Sequence, residues 1–322
     1  MRLSALGLCV FIFLGACTAK AEQDGGGPIQ IAAEPIALNP QVPGQVQIGA
    51  FTYVGGLALT SPGNPRFGGL SDLVVTGAGD LIAVTDEGSL VRARLSFDAN
   101  NQIAGIGSGR LAPLSDRLGK PLLDKDKADA EGLVVLPNGD LMVSFEHDHR
   151  IWIYPASGRP PQPVPMPDIP MPPNDGMEGL SLAPAQGVDA YWVGVEAGPI
   201  WLCHIKTDCK AHANLPMPPS GFRLTGLRES PDGQLFILHH RWTKAEGSRI
   251  VLNLVFDPAG QTPRIGQSLT LESPLNTDNF EGIAVTKTKT GTLRVYLLSD
   301  DNFSKTQRSL LMAFELTTPA RP

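Results

Sequence analysis

One short phrase recurs five times after residue 50, and this repetition constrains the fold more than any other feature of the chain. In each copy a Gly-Leu or Gly-Ile pair begins an apolar segment, and successive copies lie 47 to 63 residues apart. The copies are FGGLSDLV (67–74), AEGLVVL (130–136), MEGLSLA (177–183), LTGLRES (224–230) and FEGIAVT (280–286). The chain therefore consists mainly of structural repeats.

A second phrase follows each copy, as an apolar stretch that ends in polar or charged residues. Its copies are LIAVTDE (81–87), LMVSFEH (141–147), YWVGVEA (191–197), LFILHHR (235–241) and VYLLSDD (295–301). Turn sequences such as Pro137-Asn138-Gly139-Asp140 separate the two phrases, so each unit begins as strand, tight turn and strand. Units of this length with about four strands are typical of β-propeller blades.

We predict an all-β chain that folds as a β-propeller of five or six blades. Five units are directly visible, and the longer spacings leave room for a sixth. Because each blade leaves an apolar face that only its neighbours cover, the ring must close, and we expect segments 51–59 and 309–316 to pair and seal it. An irregular β-sandwich is the alternative, but it does not explain one phrase recurring five times.

The composition agrees with this fold and excludes several functions. The 35 Gly and 29 Pro residues leave little room for long helices and favour short strands joined by turns. The net charge of −6 and the lack of a dense basic run are unfavourable for binding a phosphate backbone. We expect neither a helical bundle nor a nucleic-acid-binding protein.

The N-terminus has the pattern of an export signal. Arg2 precedes a short apolar run, which is too short for a stable membrane anchor. The sequence Leu14-Gly15-Ala16-Cys17 resembles the lipobox of bacterial lipoproteins. This resemblance implies a signal peptide at 1–16, a lipid on Cys17 and, because Thr18 follows, an outer-membrane protein facing the periplasm. An ordinary cleaved signal peptide with an incidental Cys17 is the alternative.

Residues 17–45 contain three consecutive glycines and several prolines without an apolar period, which predicts a flexible tether. The propeller domain is then expected at 46–318, with the lipid anchor as its only membrane contact. Cys203 and Cys209 are the two cysteines beyond the N-terminal segment, and they flank a short turn. A disulfide across this hairpin is expected in an oxidising compartment, because the pair lacks the further ligands of a zinc site.

Three glutamates occupy the same place in their units, directly before Gly-Leu or Gly-Ile: Glu131, Glu178 and Glu281. In a propeller these positions converge on one mouth of the central channel, where the carboxylates would repel one another unless a cation or a cationic substrate neutralises them. Calcium, which takes about six to eight oxygen ligands, suits such a ring. The alternative is structural, since an acid before Gly can cap a turn by accepting backbone N–H bonds.

Further polar residues lie at the same end of the predicted blades. Asp72 and Asp300 are added to the candidate metal ligands, and the candidate catalytic residues are His147, His240, Arg66, Arg150 and Arg241. Arginine offers the bidentate geometry that phosphate oxygens accept, and histidine transfers protons near neutral pH. For any single one of these charged residues, a solvated loop is the alternative. The charged run at 124–131 is likewise predicted to be an exposed loop, because it lacks the glycine of a calcium-binding EF-hand.

Three common catalytic motifs are missing from the sequence: the phosphate-binding P-loop, the G-x-S-x-G nucleophile elbow and the H-E-x-x-H zinc motif. Several phrases together do resemble a known family, the bacterial phytase-like proteins described by an "esterase-like activity of phytase". They are RFGGLSDL (66–73), DAEGLVVLPNGDL (129–141), NDGMEGLSL (174–182), NFEGIAV (279–285) and LLSDDNFS (297–304). The resemblance covers roughly residues 50 to 316 and implies a secreted or lipidated β-propeller that hydrolyses phosphoesters or other esters.

Three functions remain open from the sequence. The first is a calcium-dependent hydrolase of phosphoesters or related esters, acting as a monomer on a small anionic or ester substrate. The second is a lactonase similar to the gluconolactonase type, with calcium in the channel. The third is a propeller that binds a ligand or an envelope partner without turnover, since a propeller fold by itself does not specify chemistry.

Overall fold

The computed structural model describes residues 26–316, in which 24 strands form five antiparallel sheets. In chain order the strands are β1 (Gly27–Ile29), β2 (Ala32–Pro35), β3 (Gln47–Ile48), β4 (Phe51–Thr60), β5 (Leu70–Val75), β6 (Asp80–Thr85), β7 (Ser89–Phe97), β8 (Ile103–Ile106), β9 (Gly109–Pro113), β10 (Ala130–Val135), β11 (Leu141–Phe145), β12 (Arg150–Tyr154), β13 (Gln162–Val164), β14 (Gly179–Leu182), β15 (Ala190–Gly194), β16 (Ile200–His204), β17 (Cys209–His212), β18 (Arg223–Glu229), β19 (Leu235–Thr243), β20 (Gly247–Phe256), β21 (Arg264–Leu271), β22 (Asn279–Lys287), β23 (Leu293–Asp300) and β24 (Ser309–Leu316). A one-turn helix α1 (Lys125–Ala128) precedes β10, and a 3₁₀ turn (Pro184–Gln186) precedes β15.

The five sheets are the five blades of a β-propeller. Blade 1 has the order β1-β9-β7-β6-β5 with β8 beside β7, and blades 2, 3 and 4 are β10–β13, β14–β17 and β18–β21 in sequence order. Blade 5 has the order β2-β4-β24-β23-β22 with β3 beside β4. The predicted all-β propeller is confirmed, with five blades. The longer spacings hold an extra strand in blade 1 and longer strands in blade 4 instead of a sixth blade.

The ring closes in blade 5 by pairing the start of the domain with its end. Strand β24 pairs antiparallel with β4, with Leu316 opposite Phe51 and Ser309 opposite Leu59. This confirms the predicted closure. Five apolar clusters fill the five spaces between adjacent blades, including the space between blades 5 and 1, where Leu298 and Leu311 pack with Leu73. The core is therefore a ring of sheet-to-sheet contacts, and each blade depends on two neighbours.

The glycine of the repeated phrase is explained by the close approach of neighbouring inner strands. A Cβ at Gly132 would lie 2.5 Å from Leu180 Cβ in blade 3, and one at Gly226 would lie 2.4 Å from the Glu281 carbonyl oxygen in blade 5. Contacts this short are forbidden, so a side chain at either position would push two blades apart. The repeated Gly thus has a packing role at the propeller axis.

The region 26–45 differs from the expected tether. Strand β1 pairs with β9 of blade 1 and β2 pairs with β4 of blade 5, while Ile29 and Leu38 are buried in the interblade clusters. The apolar residues here lack a period because the segment crosses two blade edges without forming one amphipathic element. The prediction of a tether is corrected for this part, and the domain begins before residue 46. The predicted signal peptide 1–16, Cys17 and the rest of the tether lie outside the described residues.

A disulfide joins Cys203 of β16 to Cys209 of β17, the pair that the sequence analysis assigned. Within residues 26–316, no helix is long and apolar enough to cross a membrane.

Candidate functional site

The strand register brings ten positions, two per blade, to one mouth of the channel. In blade 5 the pairs Phe280–Ser299 and Gly282–Leu298 leave Glu281 as an extra, bulged residue of the inner strand. A bulge of this kind redirects a side chain out of the regular sheet. We call the five equivalents of Glu281 the inner positions. The five equivalents of Asp300, which lie at or just beyond the end of the second strand in four blades and inside β19 in blade 4, are the outer positions. The inner positions are Ser71, Glu131, Glu178, Thr225 and Glu281, and the outer positions are Asp86, Glu146, Glu196, His240 and Asp300.

Seven of these ten residues are acidic, and Asp129, directly before β10, adds an eighth carboxylate. We call these eight residues the acidic mouth. It consists of Asp86, Asp129, Glu131, Glu146, Glu178, Glu196, Glu281 and Asp300.

Burial and mutual repulsion disfavour the charged forms of these carboxyls. Burial raises the pKa of Glu131 well above its usual range, and Glu178, Asp129 and Glu281 add to the rise through their negative charge. Burial likewise raises the pKa of Glu178 and Glu281, with further contributions from their acidic neighbours. The three repeated glutamates therefore interact electrostatically across the channel, as the sequence analysis expected of a convergent ring.

The outer positions show the same effect. Burial raises the pKa of Asp300 to about 7, aided by the charge of Asp86. It raises the pKa of Asp86 to about 6, although Lys125 opposes the rise. It raises the pKa of Glu196 to about 7, and a hydrogen bond with Asp175 contributes. Binding of a cation would stabilise the charged forms of these carboxylates, because it offsets both their mutual repulsion and the cost of their burial.

Few positive charges oppose the acidic mouth among residues 26–316. Lys125 Nζ lies 2.9 Å from Asp86 Oδ2 and 2.7 Å from Asp129 Oδ1. Arg223 Nη1 lies 2.6 Å from Glu196 Oε2 and also contacts Asp175. His147 Nε2 lies 3.1 Å from Asp129 Oδ2 and 4.0 Å from Glu146 Oε2. Glu131, Glu178 and Glu281 form no ion pair with any of these groups.

The residues of the mouth suit a metal ion. Glu146, Glu178 and Glu196 offer oxygen atoms that lie within 4.8 Å of one another, and Asp129, Glu146 and His147 form a second such group. The buried Asp86 Oδ1 has no hydrogen-bond partner within the described part of the chain. Carboxylate oxygens are the ligands of hard cations such as calcium. The acidic mouth could therefore hold a metal.

The alternative role as turn caps does not apply to the three glutamates. Within residues 26–316, no backbone N–H donates to the side-chain carboxylate of Glu131, Glu178 or Glu281. Glu281 Oε1 instead accepts a hydrogen bond of 2.6 Å from the side-chain amide of Asn279.

Asp72 lies elsewhere, and its assignment as a metal ligand is corrected. In blade 1 the residue equivalent to Glu281 is Ser71, so Asp72 takes the place of the packing glycine, deeper along the axis. Its carboxylate accepts hydrogen bonds from Leu133 N at 2.8 Å and Ile283 N at 3.2 Å, and pairs with Arg228 at 2.9 Å. These contacts occupy both oxygens. The sequence analysis aligned Gly69 with the other glycines and thereby shifted blade 1 by three residues.

The three candidate arginines have other partners. Arg66 donates to Ser89 Oγ at 2.9 Å and to the Glu87 carbonyl at 3.0 Å, while Arg150 stacks over Phe145 with 3.9 Å to the ring centroid. Arg241 pairs with Glu246. Their contacts position loops at the mouth, and none of them pairs with the acidic mouth.

The two candidate histidines differ. His147 lies within the acidic group just described, whereas His240 occupies an outer position and lies 3.2 Å from Ser248 Oγ. Burial lowers the pKa of His240 to about 4, so this ring is neutral at physiological pH.

Four contributors to the mouth were missed or misjudged. Asp129 and Lys125 belong to the run expected to be an exposed loop, yet Asp129 is only 3% exposed. Arg223 and Asp175 had no pattern to identify them, because each stands in a loop or strand end without an equivalent in the other blades.

Arg228, the partner of Asp72, could have been found from the sequence, since it is the one cation inside the five repeated phrases, of which its own is 224–230.

Comparison with known proteins agrees with this architecture. A model of the phytase-like family, described as "esterase-like activity of phytase", matches residues 65–303. The chain belongs to this phytase-like family. The match includes all ten inner and outer positions, so the family resemblance predicted from the sequence is confirmed.

Solved structures resemble the chain only distantly. A virginiamycin B lyase from Staphylococcus aureus is 12% identical, with 91% of this chain and 96% of that chain covered and a TM-score of 0.43. A protein provisionally described as a gluconolactonase is 13% identical, covering 92% and 96%, with a TM-score of 0.48. The PQQ-bound aldose sugar dehydrogenase from Streptomyces coelicolor is 12% identical, covering 90% and 99%, with a TM-score of 0.38. At these values the likeness carries no information about chemistry. A search of curated protein sequences finds no match.

Proposed function

We propose that this phytase-like protein hydrolyses a phosphomonoester or a related ester with the help of a divalent cation, calcium, held by the acidic mouth. The observation that carries the proposal is the convergence of eight carboxylates from blades 1, 2, 3 and 5, several with raised pKa values. Structural roles such as turn capping do not account for Glu131, Glu178 and Glu281. The family description, with its esterase-like activity, supports the same class of reaction.

Glu131, Glu178 and Glu281 would hold the cation, with Glu146, Glu196 and Asp300 at the outer positions. When bound, calcium supplies electrophilic polarisation of the substrate's phosphoryl or acyl oxygen. His147, whose Nε2 lies 3.1 Å from Asp129 Oδ2, would take a proton from the attacking water, and the Asp129 carboxylate would stabilise the imidazolium that forms. Lys125 and Arg223 limit the negative charge at the rim and thereby allow an anionic substrate to approach.

The test measures hydrolysis of 4-nitrophenyl phosphate and 4-nitrophenyl acetate before chelation, after chelation and after calcium is added back. We expect turnover to fall with chelation and to return with calcium. The double variant Glu131→Gln and Glu178→Gln should lose about 100-fold or more in kcat/KM, because it removes two of the charges that hold the cation. Glu34→Gln, an exposed carboxylate on β2, is the matched control and should keep full activity.

Unchanged hydrolysis in the double variant would contradict the proposal. Turnover of a lactone without turnover of either ester would select the lactonase alternative. If no substrate turns over but calcium still raises the melting temperature, the acidic mouth is a structural metal site and the protein is a ligand-binding propeller.

We also propose that the chain is exported and lipid-anchored through Cys17 to the outer membrane, facing the periplasm. The lipobox-like sequence and the Cys203–Cys209 disulfide support an oxidising location. In a bacterial host grown with labelled palmitate, the wild-type chain should incorporate the label and remain with the membrane fraction. Cys17→Ser should abolish both, whereas Cys9→Ser is the control. Equal labelling of wild type and Cys17→Ser would contradict the lipid anchor.

A further inference from the structure

Two of the eight carboxylates of the acidic mouth share a cation that belongs to the chain itself. Lys125 Nζ donates to Asp86 Oδ2 at 2.9 Å, to the Asp86 carbonyl oxygen at 3.0 Å and to Asp129 Oδ1 at 2.7 Å. An ammonium group has three N–H donors, and these three acceptors match them in number. Carboxylates and backbone carbonyls are also the oxygen ligands that calcium takes in proteins. Lys125 therefore occupies a position whose oxygen atoms suit a metal ion.

The helix α1, which carries Lys125, is held by both blade 1 and blade 2. Its last residue, Ala128, is 1% exposed, and a Cβ at Gly88 of the β6–β7 turn would lie only 2.7 Å from the Ala128 Cβ. Arg150, at the start of β12, donates from Nη2 to a backbone carbonyl of the helix. The position of Lys125 is therefore set by the packing of the helix as well as by the ion pairs.

The two groups of residues that could hold a metal differ in how far the chain already engages them. In the group that contains Asp129, both oxygens of this carboxylate have a partner, since Oδ1 accepts from the lysine and Oδ2 lies 3.1 Å from His147 Nε2. In the other group, Arg223 Nη1 lies 2.6 Å from Glu196 Oε2, but Glu178 forms no ion pair within residues 26–316. The second group is therefore more available to an added metal ion.

The charge of Lys125 also acts on blade 5. Burial and the negative charge of Asp86 raise the pKa of Asp300, and the positive charge of Lys125 opposes this rise. Without the ammonium group, Asp86, Asp129 and Asp300 would be neighbouring carboxylates with no cation to offset their repulsion. Lys125 thus balances the charge on the side of the mouth that blades 5, 1 and 2 form.

We propose that Lys125 is a resident cation of the acidic mouth, which takes the place of a metal ion between Asp86 and Asp129 and leaves calcium to the remaining carboxylates. The inference deepens the proposed function and rests on it in one respect, namely that calcium binds at the mouth. A lysine side chain does not dissociate into solution, so this side of the mouth keeps its positive charge when metal is scarce.

The test is equilibrium dialysis of the metal-free protein against radioactive calcium, which counts the ions bound per chain. Lys125→Met should bind about one calcium more than the wild type, because Asp86 and Asp129 then need a replacement cation. Calcium should also raise the melting temperature of this variant by about 5 °C more than that of the wild type. Lys127→Met is the matched control, since Lys127 lies on the same helix and pairs with Asp124 at 3.1 Å on the surface. It should bind calcium as the wild type does.

Three further variants separate the loss of the charge from a loss of the fold. Lys125→Gln keeps a side-chain amide that can donate to the same oxygens, so it should fold without metal and still bind the additional calcium. Lys125→Arg keeps the positive charge and should bind the same number of ions as the wild type. Adding Asp86→Asn to Lys125→Gln should remove the additional site, because one of its carboxylates is lost.

The same number of bound calcium ions in the wild type, Lys125→Met and Lys125→Gln would overturn the inference, and so would an equal increase in Lys127→Met. Failure of the proposed function gives a different result. If the wild type binds no calcium but Lys125→Gln does, only the proposed calcium dependence fails. If the wild type binds calcium and hydrolyses esters but the variants at Lys125 bind no additional ion, only the present inference fails. Absence of calcium from every variant would contradict both.

Discussion

Replacing Arg228 with methionine is expected to lower the free energy of unfolding by about 3–5 kcal/mol, a large share of the stability of a domain. Arg228 lies at the propeller axis and connects four blades. Its guanidinium donates to Asp72 Oδ2 at 2.9 Å and to the carbonyls of Leu133 and Ile283 at 3.1 and 2.8 Å. Methionine would leave the buried carboxylate of Asp72 without its counter-ion and would remove the guanidinium donors from these two carbonyls, and both losses are costly in a buried site.

Thermal or urea unfolding measures this effect, with Arg94→Met as the matched control. Arg94 pairs with Asp80 at 3.2 Å on the surface, where both side chains are at least half exposed, so its loss should cost less than about 1 kcal/mol. Adding Asp72→Asn to Arg228→Met should restore part of the stability, because it removes the uncompensated charge. Equal unfolding midpoints for the two single variants would show that the axial ion pair does not stabilise the ring.

In the presence of a chelator, we expect the protein to become more stable as the pH falls from about 8 to about 6.5, on the order of 2 kcal/mol or more. Burial raises the pKa of Asp300 and Glu196 to about 7, and it holds the pKa of Glu131, Glu178 and Glu281 well above the ordinary value of a glutamate. Each carboxyl binds its proton more tightly in the folded chain than in the unfolded chain, so stability is lost as the pH rises through these values. Lowering the pH restores it.

Two buried histidines limit the increase in stability at lower pH. Burial lowers the pKa of His239 and His240 to about 4, so the unfolded chain takes up protons first below about pH 6.5, and this opposes the carboxyls. Calcium at pH 8 should replace the proton and add about 2.7 kcal/mol when it is present at about 100 times its dissociation constant. The dependence on pH should then become weak.

Urea unfolding at a series of pH values measures this dependence. Asp300→Asn should reduce the slope in chelator, whereas Asp208→Asn, which replaces an exposed carboxylate in the β16–β17 turn, should leave it unchanged. Higher stability at pH 8 than at pH 6.5 without calcium would contradict the assignment of raised pKa values to the mouth.

The sequence by itself determined the class of fold and half of the site. A blade is built from consecutive hairpins, so its turns and apolar strands are encoded within about 50 residues, and repetition makes the pattern visible. The glutamates were found for the same reason: Glu131, Glu178 and Glu281 take equal places in equal units. The pairing of β4 with β24 could be predicted because a closed ring must cover the exposed apolar face of its last blade.

The features that depend on contacts between blades could be assigned only from the tertiary structure. Asp72 could be separated from the metal candidates only by its partners in blades 2, 4 and 5, which are distant in sequence. Asp129 belongs to the site because its short loop folds inward against His147. The strand at 27–29 could not be predicted from the sequence, because a single buried residue, Ile29, produces no hydrophobic period. Local patterns encode hairpins and strands, whereas long-range pairing determines which carboxylates are neutralised by the protein itself and which are left facing the channel.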